Sequence, residues 1–384
     1  MGSNRGGRTL TGERSRYRFA FLEPFYGGSH RAFADGWTSR SRHRIDLFTM
    51  PARFWKWRMR GAALHFARRI PEPSRYDGII TTDLMSLSDL RALWGSATPP
   101  ALVYFHENQL SYPLPPGETI DYQFAFTDIT TGLAAKRILF NSRAHNDSFF
   151  RELERFLKIF PDYRPTWVVK TMRERTDVIY PGCDFPGEAP TLAAPDRSIP
   201  PLIIWNHRWE FDKQPALFFR ALETVLGRGR DFRLALLGEN FQFVPQEFLA
   251  ARDRFGDRIV HYGYVKERND YLDWLRRGSI VISTALQENF GISVVEAIRH
   301  GSVPLLPGRL SYPELLEERF HSVCLYRDPA ELAEKLNEFL ISPEKLEVHR
   351  NALSSSMGKF SWDRLIDAWD RELDGLVDSR SFLV

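Results

Sequence analysis

The stretch Glu288-Asn289-Phe290-Gly291-Ile292-Ser293-Val294-Val295-Glu296 sets two carboxylates eight positions apart around a glycine. It follows an apolar β-rich run, Ser279 to Thr284, and leads into a helix whose apolar side is Ile292, Val295 and Ile298. Where a strand feeds a helix at the edge of an α/β sheet, free N–H groups and the helix dipole attract anions. Gly291 lets a ligand come close to the backbone. Carboxylates beside such a site repel phosphate and suit neutral hydroxyls instead. A sugar nucleotide presents both chemistries: a diphosphate for the helix end, and hexose and ribose hydroxyls for Glu288 and Glu296. The plainer alternative is one acid complementing the dipole and one solvated acid.

Two basic residues five apart, Arg208 and Lys213, follow the strand Leu202 to Trp205. A guanidinium fork and a point charge there would neutralise a diphosphate leaving group. In the first half, Gly27 and Gly28 follow the strand Tyr17 to Leu22, with a helix opening near Ser29. Such a pair lets backbone N–H groups reach a phosphate, although turns use it as freely. His106, in His106-Glu107-Asn108-Gln109, stands at the carboxyl end of the strand Ala101 to Phe105, where open α/β sheets bind ligands. Pro51 to Arg60 interleaves Arg53, Lys56, Arg58 and Arg60 with Phe54, Trp55 and Trp57. Cations meet phosphates and rings stack on unpaired bases, so this segment suits nucleic acid. A helix with its aromatics turned inward is the alternative.

These residues need two sheets to position them. Further strands are read at Arg44–Thr49, Asp77–Thr82, Arg137–Asn141 and Val178–Tyr180 in the first half. In the second they are read at Phe232–Gly238, Ile259–Tyr262, Ile280–Thr284 and Val303–Leu306. Helices fall between them, among them Ser142–Lys158 and Pro215–Leu226. Short apolar strands alternating with helices predict parallel sheets covered on both faces, hence two doubly wound domains facing a cleft. The divisions are 1–16, a disordered basic tail; 17–185, the first domain; 186–200, a Pro/Ala/Gly-rich linker; 201–355, the second domain; and 356–384, a closing helix and tail. The closing helix, Trp362 to Leu376, reads as an amphipathic strut between domains.

Composition bounds the rest. At 384 residues the chain exceeds most single cores. No apolar run reaches the roughly 18 residues that span a bilayer, and no signal-peptide core precedes the first strand. Cys183 and Cys324 are too few for a disulfide framework and read as buried small hydrophobes, so a cytoplasmic location is expected. Residues 1–70 hold 15 Lys/Arg against 4 Asp/Glu, and the remainder 37 against 45. That asymmetry points to a polyanionic partner at the N-terminal end. Phosphate-loop, dinucleotide-fingerprint, nucleophile-elbow and Asp-x-Asp motifs are absent, which leaves a phosphate-ester transferase without a short metal-holding carboxylate pair.

Arg208-x4-Lys213 followed by Glu288-x7-Glu296 resembles the donor site of retaining GT-B glycosyltransferases of glycosyltransferase family 4. The resemblance implies that Arg208 and Lys213 hold the donor diphosphate, with Gly27 and Gly28 opposite. It implies Glu288 on the hexose, Glu296 on the ribose, His106 near the transferred sugar, and Gly263-Tyr264-Val265 along the nucleobase, with Asn289, Phe290 and Gly291 at the helix end. Phe25-Tyr-Gly-Gly-Ser-His30, Pro51-Ala-x-x-Trp55-x-Trp57-Arg58, Tyr104-Phe-His-Glu-Asn-Gln-Leu110 and His207-Arg-Trp-Glu-x-Asp-Lys213 are similar to the tRNA-queuosine mannosyltransferase family. That family implies GDP-mannose as donor, no metal, and the cyclopentene hydroxyl of queuosine in tRNA as acceptor. Arg53, Trp55, Lys56, Trp57, Arg58, Arg60, Asn108 and Gln109 would then face the acceptor, with no membrane and no obligate protein partner. The rivals are a family-4 relative with another donor and a small-molecule or lipid acceptor, and a tRNA-binding protein without catalysis.

Overall fold

The computed structural model describes residues 17–378 apart from 115, 116, 118, 120, 189, 194, 195 and 240–243. The tail expected over 1–16 lies outside the described residues. In the first lobe β1 (Arg18–Tyr26), β2 (Arg44–Pro51), β3 (Gly78–Thr82), β4 (Ala101–Phe105), β5 (Arg137–Phe140) and β6 (Thr176–Val178) form one parallel sheet, ordered β2-β1-β3-β4-β5-β6. Its helices are α1 (Gly28–Arg40), α2 (Trp55–Arg69), α3 (Leu87–Trp94), α4 (Tyr122–Ala134), α5 (Arg143–Lys158) and α6 (Trp167–Arg173). The second lobe pairs β7 (Leu202–Trp205), β8 (Arg233–Leu236), β9 (Ile259–Tyr262), β10 (Ile280–Ile282), β11 (Val303–Pro307) and β12 (Leu325–Tyr326), ordered β12-β11-β10-β7-β8-β9. Around it lie α7 (Pro215–Gly227), α8 (Gln246–Phe255), α9 (Arg268–Arg277), α10 (Ile292–Arg299), α11 (Tyr312–Leu315), α12 (His321–Cys324), α13 (Pro329–Ile341) and α14 (Glu344–Ser356), before α15 (Trp362–Asp378) returns to the first lobe. Among the described residues no helix is long and apolar enough to cross a membrane.

Strands buried on both faces need apolar residues at every position, and β4 supplies Ala-Leu-Val-Tyr-Phe, all five buried. The period of two still sorts them: Ala20 and Leu22 face one core of the first lobe, Phe19 and Phe21 the other. That second core is shared with Trp362, Trp369, Leu373 and Leu376 of α15. The closing helix is therefore a structural part of the first lobe more than a strut between lobes. Two glycines clear space for Trp362: a Cβ at Gly36 or Gly182 would lie 2.1 Å from its ring.

The crossing between lobes differs from the expected linker. Cys183 N–H donates to the Phe360 carbonyl at 2.7 Å, and Trp362 N–H to the Cys183 carbonyl at 3.2 Å. The outward and return passes thus run side by side as a parallel bridge, Cys183 to Ser361. The described residues between 186 and 200 come after the crossing and lie along the second lobe. There the Pro186 and Glu188 carbonyls accept from Arg299, and Arg197 pairs with Glu347 at 2.7 Å. A Pro-rich composition marks the lack of a periodic element, and this one is pinned to a lobe. The strand expected at Val178–Tyr180 is found earlier, as β6, with the Ile179 N–H still donating to the Phe140 carbonyl at 3.0 Å. Both cysteines are free and buried, as expected.

Candidate active site

In each sheet the chain reverses direction of growth beside its first strand, and such switch points open a crevice at the strands' carboxyl ends. In the second lobe this lies between β7 and β10, so the loops after them bring Arg208, Lys213, Glu288 and Gly291 together. In the first lobe it lies between β1 and β3, beside β4, which brings Ser29, His30 and His106 to the same place. All seven residues line one cleft.

Gly291 opens α10 with φ of +97°, a conformation that side chains with a Cβ rarely adopt, and no side chain caps that end. Its neighbours stand at 3.4 Å or more from a built Cβ, so backbone conformation is what requires glycine there, with close approach of a ligand as a second benefit. Gly28 has φ of +50° in the first turn of α1, and that helix end is likewise uncapped by any side chain. Two helix N-termini thus reach the cleft with unsatisfied N–H groups.

Lys213 is nearly enclosed. Its Nζ donates to the Gln287 carbonyl at 2.7 Å and lies 3.1 Å from Asp212 Oδ2 and 3.5 Å from Glu288 Oε2. Burial works against its charge, but Glu288 and Asp212 outweigh it and hold the ammonium above its usual range. Arg208 pairs with Glu210 at 3.2 Å and keeps 43% of its side chain exposed. Burial again opposes its charge, and Glu210, Tyr112 and Asp212 prevail. Both cations remain charged at the cleft wall. Glu296 is buried, accepting from Arg268 at 2.5 Å and from the Tyr271 hydroxyl at 3.2 Å, which fixes its carboxylate. Asn289 Nδ2 donates to the His106 carbonyl at 3.1 Å and ties the two lobes across the cleft. Phe290 is buried against Tyr180 and Phe360, so its ring packs the lobe junction and its backbone alone can serve a donor. Tyr264 and Val265 follow β9 outside the cleft lining, Tyr264 exposed and Val265 packed on the core.

His106 rests on Tyr104 and Phe33, with ring centroids 4.8 and 5.0 Å away. Its carbonyl also accepts from Asn141 at 2.8 Å. Burial, with His30 and His145 nearby, pushes its pKa well below the ordinary value, so it is neutral. Sequence reasoning did not single out His30, although its place two residues after Gly28 was available as a signal. Its Nδ1 faces Glu23 Oε1 at 3.4 Å, an ion pair without hydrogen-bond alignment, and its ring lies 4.0 Å from that of His106. Glu23 is hidden inside an apolar strand, which is why the pair is invisible in sequence. Donor atoms of Glu23, His30 and His106 lie within 4.8 Å of one another, a spacing a cation could exploit. The two rings pack against each other with a tilt of 35°, and the Glu23 carboxylate beside His30 Nδ1 offers a proton acceptor. The cluster fits a shared proton better. Burial disfavours charge on His30, and Glu23, aided by Asp83 and Glu107, overcomes it and raises the pKa above 6.5. His30 in NMR titration is therefore expected to hold its proton above pH 6.5. In Glu23→Gln the desolvation is left unopposed by that carboxylate, and the midpoint should fall; an unmoved midpoint would refute the pairing.

Of the acceptor residues, Arg53, Lys56, Trp57 and Arg60 are exposed at the start of α2. Trp55 is half-buried against Phe124, at 5.1 Å. Arg58 turns inward, donating to the Pro51 carbonyl at 3.3 Å, and its Nε is buried without a partner. Asn108 does not face an acceptor. It is buried, its Oδ1 accepts from the Leu110 and Ser111 N–H groups, and its Nδ2 donates to Ser111 and reaches His145 Nε2 at 2.8 Å. Asparagine suits such loop-closing turns, and it shapes the loop that carries Gln109, which stays half-exposed.

Residues 18–183 match the family model described as tRNA-queuosine alpha-mannosyltransferase N-terminal, and residues 195–353 that of glycosyl transferases group 1. A tRNA-queuosine alpha-mannosyltransferase of Drosophila melanogaster is 34% identical over 353 residues, covering 89% of this chain and 91% of that protein. Among solved structures, the sucrose-phosphate synthase of Thermosynechococcus elongatus superposes with a TM-score of 0.71 at 14% identity, covering 95% of this chain and 100% of that one. HepE of Anabaena in complex with UDP and glucose gives 0.67 at 15% identity, covering 94% and 100%. At such identities the two structures speak to the fold, which is GT-B. The protein is a glycosyltransferase, and the chain belongs to the tRNA-queuosine alpha-mannosyltransferase family.

Proposed function

We propose that the protein transfers mannose from GDP-mannose to the cyclopentene hydroxyl of queuosine at the wobble position of tRNA, with retention at the sugar. One observation carries the reading: Arg208, Lys213, Glu288 and Gly291 converge on one cleft in a chain that is 34% identical to a tRNA-queuosine alpha-mannosyltransferase. The bond from C1 to the diphosphate breaks while the acceptor hydroxyl bonds C1 on the same face, and its proton passes to the leaving phosphate oxygen. Arg208, Lys213 and the ends of α1 and α10 stabilise the charge left on the diphosphate. Glu288 and neutral His106 hold the sugar as C1 becomes oxocarbenium-like. Glu296 holds the ribose, and the base reaches past the cleft lining to the backbone of Gly263, Tyr264 and Val265. On the acceptor side Arg53, Lys56 and Arg60 take phosphates, Trp55 and Trp57 offer stacking faces, and the wobble base turns outward into the cleft. The reading calls for no metal, membrane or protein partner and places the reaction in the cytoplasm.

The test is incubation with a panel of sugar nucleotides and with one tRNA carrying either queuosine or guanine at the wobble position, read by nucleoside mass. Mannosyl transfer is expected from GDP-mannose to the queuosine form alone. Equal transfer to the guanine form, to free sugars or to lipids would end the acceptor assignment and leave the donor site standing.

A further inference from the structure

Single exposed apolar side chains are ordinary, but a protein that leaves grouped aromatic rings in water marks a contact surface there. This first lobe does so at two distant places, at Trp57 (77% exposed) on α2 and at Tyr163 (94%) and Trp167 (61%) between α5 and α6. Two aromatic clusters on α4, a bed in two pieces, lie between them. Trp55 packs on Phe124, and Arg60 Nη2 donates to the Gln123 side chain at 3.1 Å, which binds α2 to the start of α4. One turn along, the part-exposed rings of Tyr122 and Phe126 lie 5.6 and 5.2 Å from Phe156 near the end of α5. Phe126 then meets Phe160, at 5.6 Å, where the α5–α6 loop begins.

That loop is built to present its side chains. Pro161 and Pro165 bracket Tyr163, which takes a left-handed φ of +40°. Such a conformation is strained for a bulky residue, and the exposed ring recovers nothing from packing. Arg164 Nε donates to the Phe160 carbonyl at 3.1 Å and steadies the turn. The charge along the bed is also uncommitted. Arg155 is held by Glu152 at 2.7 Å, but Arg53, Lys56, Arg60, Lys158 and Arg164 form no ion pair among the described residues. Unneutralised cations beside open ring faces are what single-stranded and loop RNA binds, phosphates on the charges and bases on the rings.

We infer that the acceptor surface continues beyond the cleft along α4 and the end of α5, and that the Lys158–Trp167 segment holds a second part of the same RNA. The inference rests on tRNA being the acceptor. Asn141, two residues before α5, lines the cleft, and the 16 residues of that helix put the loop about 24 Å further on. The second contact therefore falls on nucleotides outside the modified loop, which a short anticodon stem-loop would not supply.

The test compares wild type with Tyr163→Ala/Trp167→Ala and with Lys158→Ala/Arg164→Ala, all at exposed positions that leave the core intact. With full-length queuosine tRNA the apparent KM should rise about tenfold with kcat unchanged. With a minimal queuosine stem-loop, KM should not move. An unchanged KM for full-length tRNA would overturn the inference. So would a shift in sedimentation between wild type and variants, since the patch would then be a surface between copies of the chain. Fluorescence anisotropy with the same tRNA, without donor, reads the patch independently of transfer. Weakened binding there, in a protein that transfers no mannose, would fault the proposed reaction and keep the RNA surface.

Discussion

Arg208→Ala is expected to lower kcat by about a hundredfold while the protein stays folded. A fixed donor facing charge that develops on a leaving group is worth roughly 2.7–4 kcal/mol, and a side chain with solvent on one side belongs at the lower end. Arg208 keeps 43% of its side chain exposed, and among the described residues its ion-pair partner is the partly exposed Glu210 on the same loop, so removing it strands little charge. Lys213→Ala is a poorer experiment. The Asp212 carboxylate is fully buried beside Nζ, and leaving such a charge unpaired costs about 3–5 kcal/mol of stability. Single-turnover rates with verified folding decide the matter, and near-normal turnover of Arg208→Ala would take that residue out of the donor site.

Trp369→Ala should lower the melting temperature by roughly 10 °C, although the residue lies in the last helix and far from the chemistry in sequence. Truncating a fully buried tryptophan costs about 3–5 kcal/mol, and each kcal/mol is worth about 2–4 °C in a domain of this size. Its ring packs on Trp37, Tyr104 and Phe33 at 4.6, 4.9 and 5.1 Å. Tyr104 and Phe33 are the rings on which His106 rests, so kcat should also fall several-fold at temperatures where the variant is still folded. Calorimetry showing an unchanged melting temperature would contradict the place given to α15.

What could be read from sequence was local. The strands β4, β7 and β9 were legible to the residue, because each is a short apolar run closed by polar or glycine residues. Two-residue β12 is too short to carry a period and was missed. That Arg208, Lys213 and Glu288 share one cleft was legible because residues directly after strands of an α/β sheet have few other places to go. Asn108 was misread because an asparagine that closes a loop and one that meets a ligand look alike until the loop is seen. Pairings across the chain left no trace. Glu314 accepts the Arg143 and Ala144 N–H groups at 3.0 and 2.9 Å and caps α5 from the other lobe, 171 and 170 positions away. Asp370 pins the turn after α1, accepting from the Ser41 hydroxyl at 2.5 Å and the Arg42 N–H at 2.8 Å.

The return of α15 gives the molecule an order of assembly. The first sheet has its last strand by Val178, yet one of its faces is covered only in part, by α1, until Trp362, Trp369 and Leu373 arrive. A ribosome adding about 5–20 residues per second takes roughly 10–40 s to cross that interval. During it the second lobe has all its strands in hand, while the earlier lobe waits with Phe33, Trp37 and Tyr104 bare on the side that α15 will take. The half made first is the half finished last, so a stop codon near the end of the message strikes the lobe written at its beginning.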